Sequence, residues 1–456
     1  MLKTNCEFLN AEIMDVIRLF GCEDEDFSYE MIYEGGVFYN SVDYNGVTYR
    51  FKEPCVCSGD TEFKRYAKRF AKLAFYNVLS KEKGVSFPWG ALTGIRPTKL
   101  AYSEVNAGRD FVPLFKKFQV IDPNISLIQR ILDEQKEIYL KNKANGEDLF
   151  ISLPFCPTKC EYCSFITAPI AATRQYVDAY VDTLIKEIYS LKPIVTKLNS
   201  IYIGGGTPFV LDCDKLERIY AAINDVFDVN CEFTVEAGRP DVFSEDKLKL
   251  SKDCGVNRIC VNPQSFSDAT LEKIGRKHTT KQTYSAYEMA AKYGFDINLD
   301  LIAGLADETA EDFASSVRQA ADLSPANITV HTLSLKAGAR LKENVSRLNV
   351  KGIGDMVALS RDILTESGYA PYYLYRQKYQ AGGNENVGWS KPSKACVYNI
   401  DVMEEICSNI AAGANAISKR VFSGGERIER YASPKDIKTY LSKADEIISK
   451  RSILFF

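Results

Sequence analysis

Cys156, Cys160 and Cys163 stand in LPFCPTKCEYCSF with the spacing C-x3-C-x2-C. Thiolates so closely spaced suit a metal site. No fourth Cys or His follows nearby to close a tetrahedral zinc centre. A cubane iron–sulfur cluster held by three thiolates instead leaves one iron open to a further ligand, and that open iron would be the reactive point. The 456-residue chain has 13 cysteines but only two histidines, His278 and His331, so its chemistry does not lean on imidazole.

A glycine triplet, Gly204, Gly205 and Gly206, follows in SIYIGGGTP. Glycines at the C-terminal end of a strand remove side chains, so that a ligand can approach the backbone amides and carbonyls. Alone, such a triplet is an ordinary turn; one strand–helix unit after the cysteines, it reads as part of a site. Further polar groups end apolar strands downstream: Glu236 after FTV, Gln264 in VNPQSF and Asp300 in INLDLIAGL. A carboxylate or amide in such a place is costly unless it is partnered. Convergence on one ligand would satisfy all of them.

Residues 149–345 supply the elements that must position these groups. Strand-like LFISLP, SIYIGGG, CEFTVEA, NRICVNPQS, INLDLIAGL and NITVHTLSL alternate with helical stretches at 173–191, 213–226, 244–254, 267–275, 279–293 and 309–322. Short β-branched strands alternating with amphipathic helices predict a parallel sheet, open or barrel-like, with its site at the strand C-termini. His331 on the sixth strand is expected to face the interior. Residues 1–148 read as a separate α+β domain: Asn45-Gly46 marks a hairpin, and Phe63, Ala67, Phe70, Leu73 and Ala74 share one helical face. The lysines and arginines on the rest of that helix are expected to be solvated. Residues 346–456 form a third unit with helical flanks.

The composition excludes several classes. Hydrophobic residues at 46% and charged residues at 26% are those of a globular protein. Lys+Arg at 57 against Asp+Glu at 60 leaves a net charge of −3, which argues against nucleic acid. No signal peptide or apolar run of membrane-spanning length is readable, so a cytoplasmic protein with no membrane contact is expected. In that compartment the ten other cysteines are expected to be buried or half-buried thiols.

Taken together, the three-cysteine loop with Tyr162 before its third cysteine, GGGTP, Glu236, Gln264 and Asp300 resemble the radical S-adenosylmethionine (SAM) superfamily. The matches along 149–335 resemble its oxygen-independent coproporphyrinogen III oxidase (HemN/HemW) group. ALTGIRPTKL and YLYRQKYQAGGNENVGWSKP are most like the HemZ branch. The resemblance implies a partial (β/α)6 TIM-like barrel with an N-terminal α+β domain and a C-terminal, mostly helical domain. It also implies that Cys156, Cys160 and Cys163 hold a [4Fe–4S] cluster whose open iron binds SAM. By the same match Gly205 and Glu236 would contact the first SAM and Tyr162 would pack by its adenine. Gly206, Thr207, Gln264, Arg276 and Asp300 would contact a second SAM, and Ile417 would make another SAM contact.

The implied reaction is decarboxylation of coproporphyrinogen III propionates to vinyl groups by a SAM-derived 5′-deoxyadenosyl radical, in heme biosynthesis. It needs a tetrapyrrole substrate and a one-electron reductase or a flavodoxin- or ferredoxin-type donor; the chain is expected to be a monomer. Propionates call for cationic anchors, and Arg376, Lys378 and Lys391 are the candidates, with Lys394, Lys419 and Arg420 nearby, at the mouth of the barrel. The chain departs from the oxidase pattern at Phe150, Ser152 and Phe165, where that group has tyrosine, histidine and a fourth cysteine. The CEYCSF form is closer to the HemW members, regarded as heme-binding or heme-trafficking proteins. A heme-handling protein without decarboxylase activity is therefore the alternative, and a radical enzyme acting on another tetrapyrrole the third reading.

Overall fold

The computed structural model describes residues 1–94, 96–163, 167–305, 307–334, 352–377, 383–422, 425 and 427–456. Two compact units result: Met1–Gln129 with Arg376–Asn384, and Arg130–Tyr375 with Glu385–Phe456.

The first unit carries a four-stranded sheet in the order β1 (Leu2–Thr4), β2 (Phe27–Glu34), β3 (Val37–Tyr44), β4 (Val47–Pro54). Between β3 and β4, Asn45 and Gly46 both take positive φ, 50° and 77°, which is the two-residue turn their sequence predicts. Strict alternation along β2 buries Phe27, Tyr29 and Met31. Phe27 and Tyr29 meet Phe75, and Phe38 meets Phe63 and Phe70, all from the helix Asp60–Lys83. On the other side of that helix Lys64 and Lys68 pair with Asp60 and Glu12.

The second unit is built on one sheet. Six strands run parallel and in chain order: β5 (Glu147–Leu153), then, after the short pair β6 (Phe155–Cys156) and β7 (Ala168–Pro169), β8 (Leu198–Gly205), β9 (Glu232–Gly238), β10 (Arg258–Gln264), β11 (Asp296–Ala303) and β12 (Asn327–Thr332). The helices Val177–Ser190, Cys213–Val226, Glu245–Asp253, Thr280–Lys292 and Ala310–Asp322 intervene, close to the spans the periodicity predicts. This is the partial TIM-like barrel expected.

The described residues of 352–375 and 385–456 belong to this second unit. Two antiparallel strands, β13 (Ala370–Tyr375) and β14 (Asn386–Ser390), extend the sheet beyond β12. At its other edge β15 (Ser408–Ala412) lies parallel to β5, and β16 (Ile417–Val421) and β17 (Ile428–Ala432) continue antiparallel. The C-terminal stretch, expected to be mostly helical, thus carries five strands beside its four helices among the described residues.

Alternation sorts the strand residues to two faces. Leu149, Ile151, Ile201, Ile203, Phe233, Val235, Ile259, Leu299 and Ile328 are fully buried and alternate with the set that lines the interior. That interior set includes Phe150 and Tyr202, which stack with Tyr398 from the helix Val397–Glu404 at 6.2 and 4.6 Å between ring centroids. The aromatic stack fills the middle of the barrel and leaves polar groups above it, toward the strand C-termini, and below it.

Candidate active site

The cysteine loop begins where β5 ends. Cys156 lies on β6, and Cys160 and Cys163 follow in the loop, where the Cys163 N–H donates to the Cys160 carbonyl at 3.2 Å. Cys160 is buried and the other two are partly exposed. The three sulfurs are too spread to lie within 4.8 Å of one another as a set. They are near enough, all the same, that the charges of Cys163 and Cys160 add to burial in pushing the Cys156 thiol up to about 11. Two side chains reach the sulfurs: Thr207 Oγ1 donates to Cys156 Sγ at 3.5 Å, and Arg276 Nη1 to Cys160 Sγ at 3.8 Å.

The glycine turn is clamped onto the same loop. Gly206 N–H donates to the Leu153 carbonyl and Thr207 N–H to the Phe155 carbonyl, both at 2.8 Å. Gly205 has φ +106°, a conformation that side chains resist, and a Cβ on Gly206 would fall 2.5 Å from the Phe155 carbonyl oxygen. Only glycine lets the strand end lie this close to the cysteine strand.

Around the opening stand the polar strand ends. Glu236 is half-buried; burial first, then the charge of Asp300, push its carboxyl up to about 7, while a Gly205 backbone donor pulls the other way. Asn262 Nδ2 donates to Glu236 Oε1 at 3.3 Å. Asp300 Oδ1 accepts from Asn298 Nδ2 at 2.7 Å and lies 3.7 Å from His331 Nε2, whose Nδ1 meets the Tyr375 hydroxyl at 3.0 Å. Gln264 sits past a register shift in β10 with φ +72°, a strained conformation for a non-glycine residue. Its Oε1, Asn262 Oδ1 and Arg276 Nε are buried without a hydrogen-bond partner among the described residues. Buried polar atoms are nearly always satisfied, so these fit a polar ligand seated at the strand ends.

Cys156, Cys160, Cys163, Gly205, Gly206, Thr207, Glu236, Gln264, Arg276 and Asp300 therefore gather at one end of the sheet. Tyr162 joins them by its hydroxyl, which accepts from Arg276 Nη1 at 2.8 Å, while its ring packs on Leu271, Ile274, Ile302, Leu305 and Leu333. Asn262 and Asn298 escaped the sequence reading, although each lies two residues before a candidate, Gln264 and Asp300, and the period of two could have flagged them. His278 is buried, and burial followed by the Arg276 charge pushes its imidazole down to about 3, which keeps it neutral.

The cationic candidates go elsewhere. Arg376 belongs to the first unit, where it is buried, donates to the carbonyls of Leu92 and Gly383, and lies 5.3 Å over the Trp89 ring. Lys391 follows β14, which runs antiparallel to β12 and pairs Ser390 with Asn327, so it emerges at the N-terminal end of the parallel strands and donates to the Ser324 carbonyl at 2.7 Å. Lys394 pairs with Asp296 and Lys419 with Glu405, near that same end. Strand direction thus carries Lys391, Lys394 and Lys419 to the end of the sheet opposite the cysteine loop. Lys378 and Phe165 lie outside the described residues. Ile417 opens β16 and is 46% exposed.

The radical SAM superfamily pattern matches residues 150–320. The chain is 36% identical over 399 residues to the oxygen-independent coproporphyrinogen-III oxidase-like protein HemZ of Bacillus subtilis, covering 84% of this chain and 79% of that protein. It is 38% identical over 231 residues to the heme chaperone HemW of Lactococcus lactis, covering 49% of this chain and 60% of that one. Among solved structures, coproporphyrinogen III oxidase (HemN) from Escherichia coli superposes with a TM-score of 0.55 at 20% identity, over 70% of this chain and 77% of that one. That likeness is one of fold.

Proposed function

We propose that this chain, which belongs to the radical SAM superfamily and within it to the group of HemZ, HemW and HemN, carries out the oxygen-independent oxidative decarboxylation of coproporphyrinogen III propionates to vinyl groups. The family's cofactors are a [4Fe–4S] cluster and SAM, and Cys156, Cys160 and Cys163 are the residues that would hold the cluster. When bound, this pair supplies a carbon-centred radical by one-electron cleavage of the sulfonium, the hard chemistry that the protein itself does not perform.

The chain's own groups bind and orient. Gly205 and Gly206 expose backbone where SAM would approach, Glu236 offers a carboxylate for its ammonium, and Gln264 and Asp300 offer further polar contacts. Arg276 and Thr207 donate toward the cysteine sulfurs. Phe150, Tyr202 and Tyr398 close the floor of the site with a stacked apolar layer that excludes water from below. The observation that carries the reading is the meeting of the cysteine loop, the glycine turn and Glu236 at one strand end, in a chain 36% identical to a HemZ protein.

One observation favours the heme-chaperone reading. Phe150 is spent in the aromatic stack and the Ser152 hydroxyl donates to the Ala414 carbonyl at 2.7 Å, so neither offers a polar group where the resemblance to the oxidases expects tyrosine and histidine. The test separates the two. Protein reconstituted with its cluster under anaerobic conditions is given dithionite, SAM and coproporphyrinogen III, and protoporphyrin fluorescence is read after oxidation. Vinyl product with methionine and 5′-deoxyadenosine is expected. Stoichiometric heme binding with no SAM turnover would replace the decarboxylase reading by the chaperone one.

A further inference from the structure

At the end of the barrel opposite the cysteine loop, three ionisable groups from distant parts of the second unit meet: Asp148 at the start of β5, Asp401 on the helix Val397–Glu404, and Cys407 just before β15. Their exposures are 0%, 0% and 4%. A carboxylate oxygen of each aspartate and the cysteine sulfur all lie within 4.8 Å of one another. Cys407 Sγ is 3.1 Å from Asp148 Oδ2 and 3.7 Å from Asp401 Oδ2.

Two carboxyls and a thiol in an apolar interior are expensive to ionise without a compensating charge. The charged neighbour that acts on both aspartates is Glu232, which is itself acidic, and burial with these like charges pushes both carboxyls up. Asp401 Oδ1, although fully buried, has no hydrogen-bond partner among the described residues. Glu232 is itself paired with Arg258 at 3.2 Å, so the cluster is rich in negative ligands and left with an unsatisfied oxygen.

We propose that Asp148, Asp401 and Cys407 form a structural site for one divalent transition-metal ion, zinc by the chemistry of its ligands, with the unpartnered Oδ1 of Asp401 as the fourth donor. Zinc bonds thiolate sulfur at about 2.3 Å and carboxylate oxygen at about 2.0 Å, so tetrahedral geometry sets sulfur and oxygen about 3.5 Å apart. The two observed separations bracket that distance. A thiolate in the set disfavours magnesium and calcium, which take oxygen ligands. An outer shell is already in place: Ser200 Oγ donates to Asp148 Oδ1 at 2.5 Å and Asn142 Nδ2 to Asp401 Oδ2 at 2.8 Å, as metal-bound carboxylates require. The ion would fasten the start of β5, the helix Val397–Glu404 and β15 to one point. It acts at the end of the barrel where residues serve stability, away from the reaction.

The full-length protein with its cluster, prepared without chelator and equilibrated with zinc before desalting, is assayed for metals by mass spectrometry and for zinc ligation by X-ray absorption. Expected are close to one zinc per chain beside the cluster iron, and a zinc shell with a single sulfur. Cys407→Ser and Asp401→Asn should lose the zinc and keep the iron. Less than a tenth of a zinc per chain in the wild type would leave the cluster of groups as a set of shared protons and overturn the site. A zinc shell with three sulfurs, or zinc retained by both variants, would place the ion elsewhere and overturn it equally. Should the variants fail to fold, the wild-type stoichiometry and sulfur count still decide.

Discussion

Arg276 Nη1 lies 3.8 Å from the sulfur of Cys160 and 2.8 Å from the hydroxyl of Tyr162, so one buried guanidinium ties Cys160 to Tyr162. Its Nη2 donates to the Asn262 carbonyl, which anchors the same group to β10. The resemblance assigns Arg276 to a SAM contact. With Cys160 as a proposed cluster ligand, a cation against its sulfur would also stabilise the more negative, reduced state of the cluster.

Replacing Arg276 with Gln should lower the midpoint potential of the reconstituted cluster. A tenfold change in the ratio of reduced to oxidised cluster corresponds to about 59 mV for one electron, and a shift on that order is expected in a titration followed by electron paramagnetic resonance. An unchanged potential would confine Arg276 to ligand binding.

Cys160→Ala should abolish the cluster, read as iron per chain falling from near four, by the cubane stoichiometry, to a trace. Cys213→Ala, which removes a partly exposed thiol at the start of the helix Cys213–Val226, should leave the iron unchanged. Iron retained by Cys160→Ala would show that the cluster lies elsewhere.

Glu236 sets a pH dependence of stability in the absence of SAM. Its folded-state pKa of about 7 is raised from an ordinary 4.5. A raised carboxyl contributes stability that is fully present below the unfolded value and is lost as pH rises through the folded one. Between about pH 5 and about pH 8 the wild-type Tm should therefore fall more steeply than that of Glu236→Gln, by on the order of a few degrees. Parallel Tm curves for the two proteins would refute the assignment.

Arg451 on the C-terminal helix is fully buried against Glu187, which also accepts from the Tyr440 hydroxyl and, at 2.9 Å, from the Gly413 N–H. Removing one partner strands the other charge in the interior, so Arg451→Met should cost about 3–5 kcal/mol in urea unfolding. The double variant Glu187→Leu with Arg451→Met should recover part of that loss. A cost below about 1 kcal/mol would mean that the pair is open to water.

Much of the site could be read along the chain. The cysteine spacing and the glycine triplet are contiguous, so their meaning needs no fold, and the six strands announce themselves by short β-branched runs between amphipathic helices. Helix Cys213–Val226 has the bounds its periodicity predicts. Glu236 and Asp300 were visible because a carboxylate near the end of an apolar strand is conspicuous, and parallel order then brings the strand ends together. Lys391 was placed at the wrong end for the opposite reason: nothing near it in sequence reveals β14 to be antiparallel, and that direction carries it to the far end of the barrel.

Residue chemistry and local periodicity thus settle which groups can bind metal or cofactor and which strands bear them, because both depend on neighbours a few residues away. Pairings between distant segments belong to the fold. The register shift that re-aims Gln264, the burial of Arg376 beside Trp89 in the first unit, and the meeting of Asp148 with Cys407 across 259 residues all depend on strand order, direction and register. These are set by burying one apolar face of the whole sheet at once, a condition that no local stretch of sequence contains.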